Sequence, residues 1–263
     1  MTSTSECSYE WGDYHEEQVW NYEIGTKNRW WQQRITTNIA LFYLDVKDQQ
    51  LTQIIELSTG DNTSIIKNVG RTSIYGFESE LGAALTENLQ VDISYAWTRA
   101  EYRDHTSTDE ADLNGSLAEN NLLGDVSGNL VPRVPEHMAS LAMRYELPVS
   151  GDRLWYISSD YTFESSRFAQ EHNLIETGDR SLIGLRTGFN TRHWTTSLWV
   201  TNLFDDDTPV DIQRFLDRRS GSLPSCSTFP VANDCGGSSR SPRGFVITLP
   251  RGRQAGATVS YRF

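Results

Sequence analysis

The chain of 263 residues is acidic, with 23 Lys and Arg against 35 Asp and Glu and a formal net charge of −12. This charge disfavours a nucleic-acid partner, because phosphate backbones need a basic surface. The length suits one large all-β domain or two small ones. The sequence has no run of about 18 apolar residues, which excludes a transmembrane helix. Its mean hydropathy of −0.51 does not exclude a membrane β-barrel, whose strands carry a polar residue at every second position.

Apolar and polar side chains alternate with a period of two along most of the chain, which predicts an all-β fold. Many of the predicted strands reach ten residues or more, a length that a tilted strand needs to cross a bilayer. We predict about ten strands, at roughly 19–29, 33–48, 71–85, 89–103, 136–147, 153–165, 180–190, 193–203, 208–216 and 254–263.

The predicted connections between strands alternate in length, as in an antiparallel meander with all short links at one end. Tryptophans cluster beside the short links, which predicts an aromatic girdle at the headgroup level. Ordinary cross-strand aromatic packing is the alternative. The short links are Trp31–Gln33, Thr86–Asn88, Pro148–Asp152 and Thr191–Arg192, the long ones are 49–70, 104–135 and 166–179, and the tryptophans are Trp30, Trp31, Trp155 and Trp194.

Acidic side chains occupy the polar face of three predicted strands. Glu78 and Glu80 lie in the third strand, Asp92 in the fourth and Asp160 in the sixth. In a barrel these residues would face the lumen, where they could line a path or simply form a hydrated wall. Paired carboxylates also occur in glycoside hydrolases, but alternate residues on one strand face are common without such activity.

The last predicted strand ends the chain on GATVSYRF, with Val259, Tyr261 and Phe263 on one face. Lipid would favour these outward side chains, but an open strand edge is not tolerated in a bilayer. We therefore expect the last strand to close a barrel against the first. With only about ten strands, the chain by itself would form an open, curved sheet.

Two of the three cysteines, Cys226 and Cys235, lie in a Gly- and Ser-rich segment with eight residues between them. This spacing predicts a disulfide that closes a small loop, as in an oxidising compartment. A metal site would need a nearby histidine or a second Cys pair. The segment from Glu110 to Asn121 fits a calcium loop poorly at its first and last positions. We expect no metal, no cofactor and no catalytic residue, since GxSxG, HExxH and phosphate-binding loops are absent.

Seven segments, in this order along roughly residues 15–263, resemble the C-terminal half of the barrel of TonB-dependent outer-membrane receptors. They are Tyr22–Lys27, Asn38–Gln50, Asn68–Leu81, Ser94–Asp104, Val134–Tyr145, Trp199–Val210 and the ending GATVSYRF. The resemblance implies a transmembrane antiparallel β-barrel of about 22 strands with an N-terminal plug, of which residues 19–263 supply the C-terminal portion and residues 1–18 a loop or turn.

The resemblance also implies a non-enzymatic function, the import of a scarce nutrient complex across the outer membrane of a Gram-negative bacterium. The cargo in this family is most often a ferric siderophore, with cobalamin, haem or oligosaccharide as other options. The implied partners are the TonB energy-coupling complex, reached through an N-terminal part upstream of this chain, the barrel assembly machinery, and outer-membrane lipid with lipopolysaccharide. A soluble all-β carbohydrate-binding or hydrolytic protein and a passive porin are the alternatives.

Within this resemblance, Phe263 lies at the periplasmic side. Counting strands back predicts that NLFDDD (202–207) lies at the same side, with the short links extracellular and 104–135 periplasmic. Residues 217–253 would form the last extracellular loop. Its arginines, Arg218, Arg219, Arg240 and Arg243, could attract an anionic cargo, or bind lipopolysaccharide phosphates, or be merely solvated.

Overall fold

The computed structural model describes residues 14–56, 62–68, 70–107, 124–216 and 243–263. In these ranges the secondary structure consists of β-strands, and no helix there is long and apolar enough to cross a membrane. The strands are β1 (Gln18–Trp30), β2 (Ile35–Lys47), β3 (Gln50–Glu56), β4 (Asn62–Asn68), β5 (Arg71–Ala84), β6 (Leu89–Asp104), β7 (His137–Ser150), β8 (Arg153–Glu164), β9 (Arg180–Asn190), β10 (Trp194–Thr201), β11 (Asp211–Leu216), β12 (Arg243–Thr248) and β13 (Gln254–Tyr261).

Nine strands form one antiparallel sheet in the order β1-β2-β5-β6-β7-β8-β9-β10-β13. All nine were predicted, with ends within a few residues of those observed. The hairpins β3–β4 and β11–β12 stand outside this sheet as separate two-stranded units. The prediction missed β3, β4 and β12, because their six or seven residues lie inside segments that were interpreted as long links.

The sheet is open, as expected for a chain of this length. Strands β1 and β13 are its two edges, and β13 pairs only with β10 among the described strands. The closure of the last strand against a first strand is therefore not made within the described residues.

The pairing of β13 with β10 shows that the sequence analysis assigned several connections to the wrong end of the sheet. Tyr261 pairs with Trp194, so Phe263 lies beside the short turn between β9 and β10. The other short turns, at 31–34, 85–88 and 151–152, lie at this same end, whereas residues 202–207 lie at the opposite end. The strand count was wrong because β11 does not enter the sheet, which makes β10 and β13 direct neighbours.

Register divides the sheet into two chemically distinct faces. The cross-strand row Leu81, Ile93, Leu141, Tyr161 and Ile183 lies on one face, which we call the apolar face. The next row, Gly82, Asp92, Ala142, Asp160 and Gly184, lies on the other, which we call the polar face. The period of two thus runs in register across the strands, as the sequence predicted.

Aromatic side chains border the apolar face at both ends. At the Phe263 end, the rings of Trp194 and Tyr261 are 4.7 Å apart, and those of Tyr261 and Phe263 are 5.1 Å apart. At the opposite end, the ring of Tyr75 meets that of Trp97 at 5.8 Å. Aliphatic residues occupy the rows between these two borders. Trp30 and Trp155 belong to the border at the Phe263 end. Trp30 pairs with Ile35, and Trp155 pairs with Leu147 and Phe189.

A small core forms on the polar face at the end opposite Phe263, where segments 124–136 and 166–179 cover the sheet. Its buried side chains include Val46, Ala100, Tyr102, Val126 and Ala169. Through this packing, the two connecting segments lie close to the strands.

The entry to β5 at this end depends on Gly70. It has a φ of +57°, and a Cβ atom there would lie 1.5 Å from the carbonyl oxygen of Asp104. Only glycine therefore fits where the chain enters β5.

Candidate functional site

The polar face brings the four predicted acids together. Asp92 and Asp160 share one cross-strand row and flank Ala142, while Glu80 lies in the next row and Glu78 in the row beyond. Glu80 accepts a hydrogen bond from the Asn38 amide at 2.8 Å. Among the described residues none of the four acids forms an ion pair. The face is therefore hydrophilic over this region, with acidic side chains in three successive rows and Arg144 and Arg186 in the row beyond Asp92 and Asp160.

The carboxylates of Asp160 and Asp92, which share a row, each lie in the space left by a glycine of the neighbouring strand. A Cβ atom added to Gly184 would lie 2.5 Å from both carboxylate oxygens of Asp160. At Gly82 the added atom would lie 3.1 Å from Oδ1 of Asp92. Each carboxylate thus lies against the neighbouring strand.

A depression of about 480 Å³ opens on the polar face near the end opposite Phe263. Its lining carries both signs of charge and several hydrogen-bonding groups, including Asp160, Thr162, Arg180, Thr201, Arg251 and Gln254. Arg180 is already paired, since its Nη2 lies 3.0 Å from Glu164. The Arg251 side chain has no hydrogen-bond partner in the described part of the chain.

Asn202 builds the rim of this depression. Its amide nitrogen donates to the backbone carbonyls of Asp206 and Arg251, at 2.9 and 3.1 Å, and its oxygen accepts from the Asp206 N–H at 2.8 Å. Asn202 is buried and takes a left-handed φ of 50°, which asparagine tolerates better than most residues. The bonds hold the start of β13 beside the end of β10.

A second polar cluster joins two connections at the same end. His105 Nε2 lies 2.8 Å from one oxygen of Glu171, and the Ser107 hydroxyl donates to the other. Burial raises the pKa of Glu171, but the hydrogen bonds from His105 and Ser107 outweigh it, so that this pKa lies below its usual value. His105 is almost fully buried and packs its ring against Tyr102 at 4.7 Å, and its Nδ1 has no hydrogen-bond partner among the residues that the structure describes.

This cluster was missed by sequence reasoning. Glu171 stands 66 residues from His105, in a connection without regular alternation. Spacing could not reveal the pair, because only the fold of the segments over the sheet brings them together.

Several predicted site residues fall outside the described ranges. Arg218, Arg219, Arg240, the pair Cys226 and Cys235, and the Glu110–Asn121 segment all belong to this group. Arg243 is the first residue of β12. Val259 and Tyr261 lie on the apolar face of β13, at the edge of the sheet, and are 65% and 47% exposed.

A family model for the β-barrel of TonB-dependent receptors, described as "TonB dependent receptor-like, beta-barrel", matches residues 5–203. The chain belongs to this family. The match covers most of the nine-stranded sheet and confirms the resemblance carried by the sequence segments.

Solved receptor structures have the same fold. The ferric yersiniabactin uptake receptor FyuA from Yersinia pestis is 20% identical, with a TM-score of 0.64 over 94% of this chain and 30% of its own. The siderophore receptor PiuA from Acinetobacter baumannii is 16% identical, with a TM-score of 0.63 over 93% and 28%. The copper transporter OprC is 19% identical, with a TM-score of 0.58 over 95% and 32%.

The chain therefore spans about a third or less of the length of these structures. The family and these proteins are transport receptors, which fits the expectation of a non-enzymatic protein.

Proposed function

We propose that the chain forms part of the wall of an outer-membrane receptor that imports a scarce nutrient complex, with energy supplied through TonB. The observation that carries this proposal is the sheet itself, a member of the receptor family with one apolar and one polar face. In a bilayer, the apolar face would meet lipid and the polar face would line the lumen.

The height of the apolar face supports a bilayer setting. On β8, Trp155 and Phe163 share this face near its two ends and lie eight residues apart. At about 3.3 Å per residue, they are separated by about 26 Å along the strand. A tilt of about 40° reduces this to about 20 Å, comparable with the apolar band of about 25 Å in outer-membrane barrels.

Orientation follows from the family's usual arrangement, with the end of the sheet that carries Phe263 at the periplasmic side. The short turns then face the periplasm as well. The depression around Arg251 and the buried cluster around Glu171 would then lie at the extracellular end. We propose the same side for the predicted loop 217–253 and its arginines.

A ferric siderophore is the proposed cargo. FyuA is a ferric yersiniabactin uptake receptor and PiuA a siderophore receptor, while OprC transports copper. Anionic metal complexes suit a mouth that carries Arg218, Arg219, Arg240 and Arg243. The acids of the polar face would then line the passage below it.

Uptake of radiolabelled iron tests the proposal. Cells grown under iron limitation are compared with and without the gene, and with and without a functional TonB, using a panel of ferric siderophores. We expect TonB-dependent uptake of at least one complex, weakened when Arg240 and Arg243 are replaced by Glu in the full-length receptor. Uptake that persists without TonB would instead indicate a passive porin, and unchanged affinity in the Glu variant would discard the arginines as cargo contacts.

A further inference from the structure

The hairpin β11–β12 extends from the rim of the depression on the polar face. Val210, which precedes β11, and Pro250, which follows β12, both line the depression. The N–H of Val210 donates to the carbonyl of Thr248 at 2.8 Å and closes the base of the hairpin. The depression and the hairpin are therefore parts of one continuous surface.

Two arginines of the neighbouring connections fix the base of the hairpin. Nε of Arg133 donates to the Asp211 carboxylate at 3.2 Å, and Nη2 of Arg167 donates to the carbonyl of Val210. Ile212, the next residue of β11, is buried. The hairpin is thus anchored beside the depression at its lower part.

The rest of the hairpin carries exposed apolar side chains. Ile212 and Ile247 are cross-strand partners and share one face of the hairpin, and Phe245 lies on that face because it is two residues from Ile247. Val210 precedes Ile212 by two residues, so this face is on the side of the depression. Ile247 is 53% exposed, and Leu249, just beyond β12, is 63% exposed. Contact of the sheet with lipid does not explain this exposure, since the hairpin stands outside the sheet, and such patches mark ligand sites.

The floor of the depression adds two charged side chains that are free to bind a ligand. Neither Asp160 nor the side chain of Arg251 forms a hydrogen bond or an ion pair within the part of the chain that the structure describes. Arg180 differs, because its guanidinium group is paired with Glu164. A free guanidinium group suits an anionic oxygen, and a free carboxylate suits a hydroxyl or N–H group.

We propose that the depression and the apolar face of the hairpin β11–β12 together bind an amphiphilic cargo, a metal chelate that carries a free anionic group and an apolar chain. The inference rests on the proposed function and names the chemical class of its cargo. The anionic group binds Arg251, a hydroxyl or N–H group of the chelate binds Asp160, and the apolar chain lies along Ile247 and Leu249.

Both halves of this site are needed to select such a cargo. A purely polar chelate would leave the apolar face of the hairpin in water, and the affinity that its burial supplies would be lost. A purely apolar ligand would remove Asp160 and Arg251 from water without supplying partners for their charges. The site therefore favours a ligand with both properties over a ligand with either one.

Binding of three matched ferric chelates to the full-length receptor in lipid nanodiscs tests the proposal. The first probe carries an octanoyl chain and a free carboxylate outside its iron-binding groups. The second has an acetyl group in place of the octanoyl chain, and the third has an amide in place of the free carboxylate. After subtraction of binding to empty nanodiscs, we expect the first probe to bind at least about 10-fold more tightly than either of the others. This comparison needs no substitution and does not depend on the folding of a variant.

Substitutions assign the two preferences to their residues. Ile247→Ser should reduce the preference for the octanoyl over the acetyl probe by about 5-fold, because it removes apolar surface from the face that holds the chain. Its matched control is Val246→Ser, which removes a side chain of similar exposure, 52%, from the opposite face and should bind all three probes as the parent does. Arg251→Gln should abolish the preference for the carboxylate over the amide and keep the preference for the octanoyl chain.

Four results would each overturn the proposal: no binding of the octanoyl probe, equal affinity of the parent for the octanoyl and acetyl probes, equal affinity for the carboxylate and the amide, or equal effects of Ile247→Ser and Val246→Ser. If cells still take up iron through TonB in these cases, only the amphiphilic cargo is refuted. Absence of TonB-dependent uptake for every ferric complex tested would refute the proposed function as well.

Discussion

At two places on the polar face a carboxylate lies against a glycine of the neighbouring strand, Asp160 at Gly184 and Asp92 at Gly82. Alternation in the sequence correctly predicted that these acids share a face, because the side of a strand follows from the period of two. It could not predict that a glycine lies opposite each acid, because which residues stand opposite one another depends on register. The position of each carboxylate therefore depends on the glycine of the neighbouring strand.

Substitution of Gly184 by Ala should therefore displace Asp160. A Cβ atom 2.5 Å from both carboxylate oxygens forces the side chain to move, at an expected cost of about 1 kcal/mol in the free energy of unfolding. The same substitution in an Asp160→Ala background should cost less, since the clashing atoms are gone. Denaturant unfolding of the four proteins of this cycle measures the coupling. Equal costs in both backgrounds would mean that Asp160 is not held at Gly184.

Glu171 shows how a single residue can tie two connections together. Since its pKa is lowered in the folded protein, its hydrogen bonds to His105 and Ser107 contribute stability above the ordinary carboxyl pKa of 4.5. That contribution is lost as the pH falls through the lower, folded pKa.

Glu171→Gln should lower the free energy of unfolding at pH 7 by about 1–3 kcal/mol, because His105 and Ser107 lose a charged partner in a buried site. Thermal unfolding of the full-length receptor between pH 7 and pH 3 measures both the loss and its pH dependence. The control Glu176→Gln alters an exposed carboxylate of the same segment, which accepts a hydrogen bond from Ser166. A variant at Glu171 that follows the parent at every pH would contradict the assigned role.

At the scale of elements, the nine sheet strands could be predicted because each is long and most alternate regularly. Strands β3, β4 and β12 could not be predicted, since six or seven residues carry too few periods to be told from a loop. This gap had a consequence beyond the hairpins: treating 208–216 as a sheet strand reversed the end assigned to residues 202–207. The packing of segments 124–136 and 166–179 over the sheet could not be predicted either, because it follows from tertiary contacts.

Gly70, where the chain enters β5, provides a test of this element's geometry. Gly70→Ala should destabilise the protein by more than about 2 kcal/mol, because it combines a left-handed φ with a clash against the Asp104 carbonyl. Gly128→Ala is the matched control, with a φ of +87° but no atom within 4 Å of the added Cβ, and it should cost about 1–2 kcal/mol. Chemical denaturation of both variants gives the comparison. Equal losses would show that Gly70 serves backbone conformation alone.

For the whole molecule, the two faces of the sheet determine how this chain can function. Their separation was predictable from alternation, and family membership from the seven matching segments, because both are properties of consecutive residues. Cargo specificity could not be predicted in this way, because it depends on the connections and on parts of the receptor that no strand pattern encodes. The proposed import function therefore rests on the apolar face being solvated by lipid.

Spin labels at Val259, Ile93 and Leu141, compared with labels at Ser260 and Asp92, test this claim most directly in the full-length receptor in bilayers. Each set lies on one face of the sheet, and neighbours such as Asp92 and Ile93 differ only in the side to which they point. We predict high collision rates with oxygen dissolved in the hydrocarbon for the first set and with a water-soluble paramagnet for the second. The same surroundings for both sets would contradict the account.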